Sequence, residues 1–212
     1  MTGLRERKKQ QTRRLISDIA TGLFLERGFD EVTIAEIAEA ADVSVATVYN
    51  YFPAKEDLFF DREEETVDRY SRFVRERAPG QSAAHAILER MRAEVEECSP
   101  VLGLADGFDR FLLVMRRSTA LMARLSLMHY RISAALAATL REESGAEPDD
   151  PTPELVAEQL MGLHNAVVGG AGRGTFTGLP PEEIAARMLV RLDAYEALLS
   201  DEVLNYAPRR PS

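Results

Sequence analysis

Thr33 to Lys55, TIAEIAEAADVSVATVYNYFPAK, reads as two short helices joined by a tight turn, the pattern of a helix-turn-helix. Thr33 is placed to cap the first helix, and Glu36, three residues on, to return a bond to the Thr33 amide, which makes a capping box. Ile34, Ile37, Ala38 and Ala41 then share one helical face. Asp42 falls at the turn, where a left-handed backbone is needed and Asp is one of the few residues besides glycine that accept it. Ser44 caps the second helix, Val45 to Tyr51. Val48 and Phe52 are expected inside, with Thr47, Asn50 and Tyr51 pointing away. Pro53 stops the helix for want of an amide hydrogen, and Lys55 opens the next one, where its ammonium and the free amides would meet a phosphate.

The run Val43 to Leu58 matches V-S-x-x-T-V-Y-x-Y-F-x-x-K-E-x-L and so resembles the DNA-binding signature of the tetracycline-repressor (TetR) family. One departure is Asp42, where the family usually has glycine, and the motif covers about the first quarter of the chain. The resemblance implies that Thr33, Ser44, Thr47, Tyr49, Tyr51 and Lys55 lie at double-stranded DNA. Val45, Ala46 and Asn50 take the positions that vary with the operator. It implies a homodimer on a palindromic operator, acting as a repressor and released by a small apolar effector. The alternatives are a helical carrier or enzyme, or a protein-interaction adaptor, built on the same fold.

Upstream, Leu15, Ile16, Ile19, Ala20, Leu23 and Phe24 form an apolar stripe from about Thr12 to Arg27. Gly28 ends it with a left-handed residue that lets Phe29 fold back on Phe24. Ile19, Phe24, Phe29, Val32, Ile37, Val48 and Phe52 are expected to form one small core. Residues 1–14 hold six basic side chains against one carboxylate, while the whole chain of 212 residues carries a net charge of -9. A basic arm on an acidic body suits placed contacts along a DNA backbone or minor groove better than a broad positive field.

Downstream, helices are expected over 55–77, 85–97, 109–117, 119–141, about 154–170 and from Pro180 to about Leu204. A broken connector takes 100–107, and an acidic loop takes 142–153, in which Thr152 caps the next helix. No stretch alternates as a strand does, so the fold class is all-α with about nine helices. The expected division is a helix-turn-helix domain over 1–54, a helical effector-binding and dimerisation domain over 55–204, and a loose tail over 205–212.

By the same resemblance, the last two long helices would pair with those of a second subunit through Leu160, Leu163, Val167, Leu189, Leu192 and Tyr195, with Gly169 and Gly170 allowing close approach. Phe108, Phe111, Met115, Met122, Leu125, His129, Met161, His164, Asn165 and Phe176 are bulky, adaptable or polar, and would line an effector cavity. The interface set serves equally as ordinary core, and for most of the cavity set, taken singly, ordinary core is the better reading. No metal motif links His85, His129 and His164, the chain holds one cysteine (Cys98), and neither H-E-x-x-H nor G-x-S-x-G occurs. The glycine-rich GGAGRG of 169–174 follows a helix and not a strand, so it is no phosphate loop. No cofactor, metal, catalytic group or membrane segment is expected, and the protein is expected in the cytoplasm.

Overall fold

The computed structural model describes residues 2–104, 107–172 and 179–210. Among these residues the chain is all helical, with eleven α-helices and one short 3-10 turn at Pro100–Leu102. Its contacts divide it into two compact units. One comprises Met1–Glu63 with Arg110–Leu127, the other Glu64–Asp109 with Met128–Ser212. The expected boundary after residue 54 therefore moves nine residues on, and a later segment joins the first unit.

The first unit starts with α1 (Thr2–Arg27), α2 (Ile34–Ala40), α3 (Val45–Tyr51) and α4 (Glu56–Phe59). The basic arm is a correction: α1 begins at Thr2, so those residues form its first turns and not an irregular arm. Leu15 is another, since it is half exposed while Ile16, Ala20 and Phe24 on the same helix are fully buried. Gly28 is left-handed (φ 94°) and its amide donates to the Phe24 carbonyl at 2.9 Å, which brings the Phe24 and Phe29 rings within 4.9 Å. Ile37, Val48, Phe52 and Leu58 close the same core.

Residues 110–127 belong here because their side chains complete that core. Phe111 stacks on Phe59 at 4.1 Å, and Val114, Met115 and Leu121 are buried in the cluster. Arg124 bridges Asp57 and Glu63, at 2.7 Å each, and Ser118 donates to Asp30. The helix expected over 55–77 is accordingly broken, into α4 and α5 (Glu63–Glu76). Arg13 accounts for part of the break, since it donates to the carbonyls of Tyr51 and Asp61 and stacks over Phe52.

The second unit contains α5, α6 (Ala83–Glu96), the later part of α8 (Thr119–Ser144), α9 (Thr152–Gly172), α10 (Pro181–Glu196) and α11 (Asp201–Leu204). The remaining helix, α7 (Phe108–Arg117), lies mostly in the first unit. Ile87, Leu88, Met91 and Val95 are buried along α6 as their spacing predicts. At the start of α9 the capping group is Asp150, whose carboxylate accepts from the Thr152 amide at 2.8 Å, and not Thr152 itself. The helix expected to run unbroken to Leu204 stops at Glu196 and restarts after Ser200, which caps α11.

The described part of the C-terminal segment, residues 205–210, is not loose. Gly80 donates to the Arg209 carbonyl at 2.8 Å, Arg209 to Gln81 at 3.0 Å, and Ala83 to Tyr206 at 3.2 Å. Beneath this pairing lies Arg77, whose side chain is fully buried. Its guanidinium serves the carbonyls of Val74, Gln81 and Ala207 and the Glu143 carboxylate.

Candidate nucleic-acid interface

The turn between α2 and α3 is set by local chemistry. The Thr33 hydroxyl accepts from the Glu36 amide while the Glu36 carboxylate takes the Thr33 amide at 2.8 Å, so the capping box is present. That amide bond, reinforced by Arg27 at 2.7 Å, holds the Glu36 carboxyl down at about 2. Asp42 adopts φ 52°, the left-handed turn residue the sequence called for. Ser44 then accepts from the Thr47 amide at 3.0 Å, and the two hydroxyls share a further bond of 2.8 Å.

Val48 and Phe52 are fully buried and fasten α3 to its neighbours. The outward face consists of Val45, Ala46, Tyr49 and Asn50, with Val45 41% and Tyr49 49% exposed. This face is turned from the expected one. Thr47 is half-buried with its hydroxyl held by Ser44, and Tyr51 packs against the core instead of pointing away. Lys55 also differs from expectation. It sits at the cap of a four-residue helix with its ammonium 4.3 Å over the Phe29 ring, where burial pulls its pKa down. Thr33, Ser44 and the exposed part of α3 remain together on one unit.

Residues 16–61 match the family described as bacterial regulatory proteins, tetR family. The chain is 43% identical over 68 residues to the HTH-type transcriptional regulator LuxR of Vibrio harveyi, a match covering 32% of this chain and 31% of that one. It is 26% identical over 156 residues to the HTH-type transcriptional regulator TcmR of Streptomyces glaucescens, covering 70% of this chain and 67% of that one. The fold is shared with SmeT of Stenotrophomonas maltophilia in its triclosan complex, at a TM-score of 0.61 and 19% identity, over 91% of this chain and 94% of that one. Residues 16–61 thus carry the DNA-binding region of the tetR family, and the fold of the chain is that of SmeT.

The residues predicted to line a cavity are divided. Phe111, Met115, Met122 and Leu125 lie in the first unit, the first two and Leu125 in or against its core and Met122 exposed. Phe108, His129, Met161, His164 and Asn165 lie in the second, and Phe176 is outside the described residues. Phe108 fills the space beside Gly103, and Asn165 is exposed. The first unit also has a shallow cleft of about 350 Å³, lined by Glu56, Ala120, Ala123, Arg124 and Leu127, which contains none of the predicted pocket residues.

What the second unit does assemble is polar. Tyr70, which sequence reasoning missed, shares a 2.6 Å hydrogen bond with His164, whose ring lies 5.8 Å from that of His129. Burial, with His129 and Arg69 adding positive charge, pushes the His164 imidazole down to about 3, and burial pushes the Tyr70 phenol up to about 12. Both groups are therefore neutral near pH 7. A single tyrosine in an ordinary amphipathic stripe carries no sequence signal for this partnership, because its histidine lies 94 positions away.

The predicted subunit surface is corrected as well. Leu160, Leu163, Val167 and Leu192 are buried within the single chain and form its own core. Leu189 and Gly169 are half-buried, and of Gly170 only its place in α9 is described. Tyr195 is half-buried over Gly162 and donates to the Gln159 carbonyl at 2.8 Å. Among the side chains that do face outward on these helices are Leu155, Gln159 and Val190, with Leu198 just beyond α10.

Proposed function

We propose that this chain is a transcriptional repressor that grips a roughly palindromic operator as a homodimer, with one α3 in each of two successive major grooves. The observation that carries this reading is that α3 and its C-cap have an inner side of fully buried Val48 and Phe52 and an outer side of Val45, Ala46, Tyr49 and Asn50 that no other described residue covers. Thr33, Ser44, Thr47, Tyr51 and Lys55 are assigned to positioning and to phosphate oxygens. The basic first turns of α1 supply further backbone contacts. The first unit is the DNA-binding part. The second is the effector and dimerisation part, acting in the cytoplasm; no helix among the described residues is long and apolar enough to cross a membrane.

A small apolar effector fits this reading, as triclosan is bound by SmeT, whose fold is shared. Within the second unit, Met161, His129 and His164 are the side chains assigned to it, the histidines orienting it by hydrogen bonds. The dimer face is assigned to the outward residues of α9 and α10. Moving such a dimer from 1:99 to 99:1 between DNA-fitting and unfitting states takes roughly 5.5 kcal/mol of differential effector binding.

The test is fluorescence anisotropy on operator duplexes selected from genomic fragments. Tyr49→Ala is expected to weaken binding about fivefold or more with an unchanged melting temperature, and affinity is expected to fall steeply with salt, because phosphate contacts release counterions. Equal affinity of the variant, or a flat salt response, overturns the proposal.

A further inference from the structure

The outward face of α3 carries no ionised side chain: Val45, Ala46, Tyr49 and Asn50 are two aliphatic groups, a phenol and an amide. Each kind of base edge in the major groove has a preferred partner. Guanine is met by the paired donors of Arg or Lys on O6 and N7, and cytosine by a carboxylate on its amino group. Adenine is met by the donor and acceptor of one amide on N7 and N6, and thymine by an apolar contact to its methyl group. The face has nothing for the first two and both of the second two.

The neighbouring polar groups do not change that balance. Ser44 and Thr47 hold each other and the Thr47 amide. Glu36 is engaged by Thr33 and Arg27, and the Lys55 ammonium rests over Phe29. Glu39 at the end of α2 and Asp42 in the turn are nearby exposed carboxylates with no such bond described, and both precede the helix instead of lying on its face.

Spacing adds a second constraint. Val45 and Ala46 stand one turn before Tyr49 and Asn50, about 6 Å along the axis at 1.5 Å per residue. At roughly 3.4 Å per base pair that is close to two steps of duplex.

We propose that α3 selects adenine–thymine pairs, Asn50 reading an adenine and Val45 and Ala46 reading thymine methyl groups, so that each operator half-site holds two or three consecutive A·T pairs. This rests on the DNA-binding reading above and names the class of sequence it takes. Tyr49 supplies a phosphate contact and fixes the register.

The experiment is selection from a random duplex pool with the full-length chain, followed by anisotropy on the winning site. Expected are A·T pairs at the adjacent fixed positions of each half-site. Replacing those thymines by uracil, which removes only the methyl group, is expected to weaken the wild type about threefold or more at each contacted position, and to leave a Val45→Gly, Ala46→Gly variant unaffected. Asn50→Ala is expected to lose the preference for adenine at one position while keeping its melting temperature; Asn50→Arg is expected to move that position to guanine. Fixed G·C pairs under α3, including a cytosine lost on Asp42→Asn, overturn the inference while leaving DNA binding intact. So does indifference to uracil. A pool with no enrichment at all removes the DNA-binding reading and this inference together.

Discussion

Replacing Arg77 by methionine removes one charge from the second unit and leaves the carbonyls of Val74, Gln81 and Ala207, with the Glu143 carboxylate, without their shared donor. The guanidinium is fully buried while Glu143 keeps 32% of its side chain exposed, so the carboxylate regains water and the carbonyls do not. Breaking a buried pair of this kind costs about 3–5 kcal/mol; the Val74 and Gln81 carbonyls keep the backbone amides of residue 77 and Arg209, and the Ala207 carbonyl is the acceptor left with no donor described. Against a typical total of about 5–15 kcal/mol that is a large fraction. With a urea slope of about 2–3 kcal/mol per molar, the midpoint is expected to fall by roughly 1–2 M in a denaturation followed by far-ultraviolet circular dichroism. Deleting residues 205–212 removes the Ala207 acceptor and the backbone pairing with 80–83, and is expected to cost less. Because both changes act on one network, their combination is expected to fall short of the sum. A loss below about 1 kcal/mol for Arg77→Met, or strict additivity of the two, refutes the account of the tail as a clasp over a buried cation.

Acidification tests the histidine pair. With the folded His164 imidazole at about 3 and an ordinary value of 6.5 in the unfolded chain, the unfolded state takes up a proton that the folded state refuses between those limits. Stability is therefore lost as pH falls through that window, and His164→Leu is expected to flatten the dependence of melting temperature on pH there; an equally steep variant contradicts it. At the turn, Asp42→Val forces a β-branched side chain to φ 52° and is expected to lose about 1–2 kcal/mol by thermal melting, whereas Asp42→Gly is expected to be at least as stable as the wild type. Equal melting of the valine variant and the wild type counts against strain at this position.

The parts of the site that were legible in sequence are those governed by residues within four positions of one another. The capping box of Thr33 and Glu36, the left-handed Gly28 and Asp42, the Ser44 cap and the inward Val48 and Phe52 all appear as read. Where that reading slipped, a distant group had intervened. Tyr51 was turned inward where Arg13 takes its carbonyl, and Lys55 was drawn over Phe29. The break between α4 and α5 follows from Phe111 on Phe59 and Arg124 on Glu63, partners more than fifty residues downstream.

The amino-acid order by itself determined the helical class, the position of the helix-turn-helix and the membership of its core, because capping, turn conformation and helical periodicity are short-range and cost free energy at once when violated. Only the tertiary structure decided which apolar stripe closes on its own chain and which is left outward. Leu160 and Leu155 have the same chemistry and sit five residues apart on one helix, yet the first is buried and the second open. It alone also decided that Tyr70 meets His164 and that the C-terminal segment is clasped over Arg77. Such pairings depend on where remote helices come to rest, and periodicity within a helix carries no information about that.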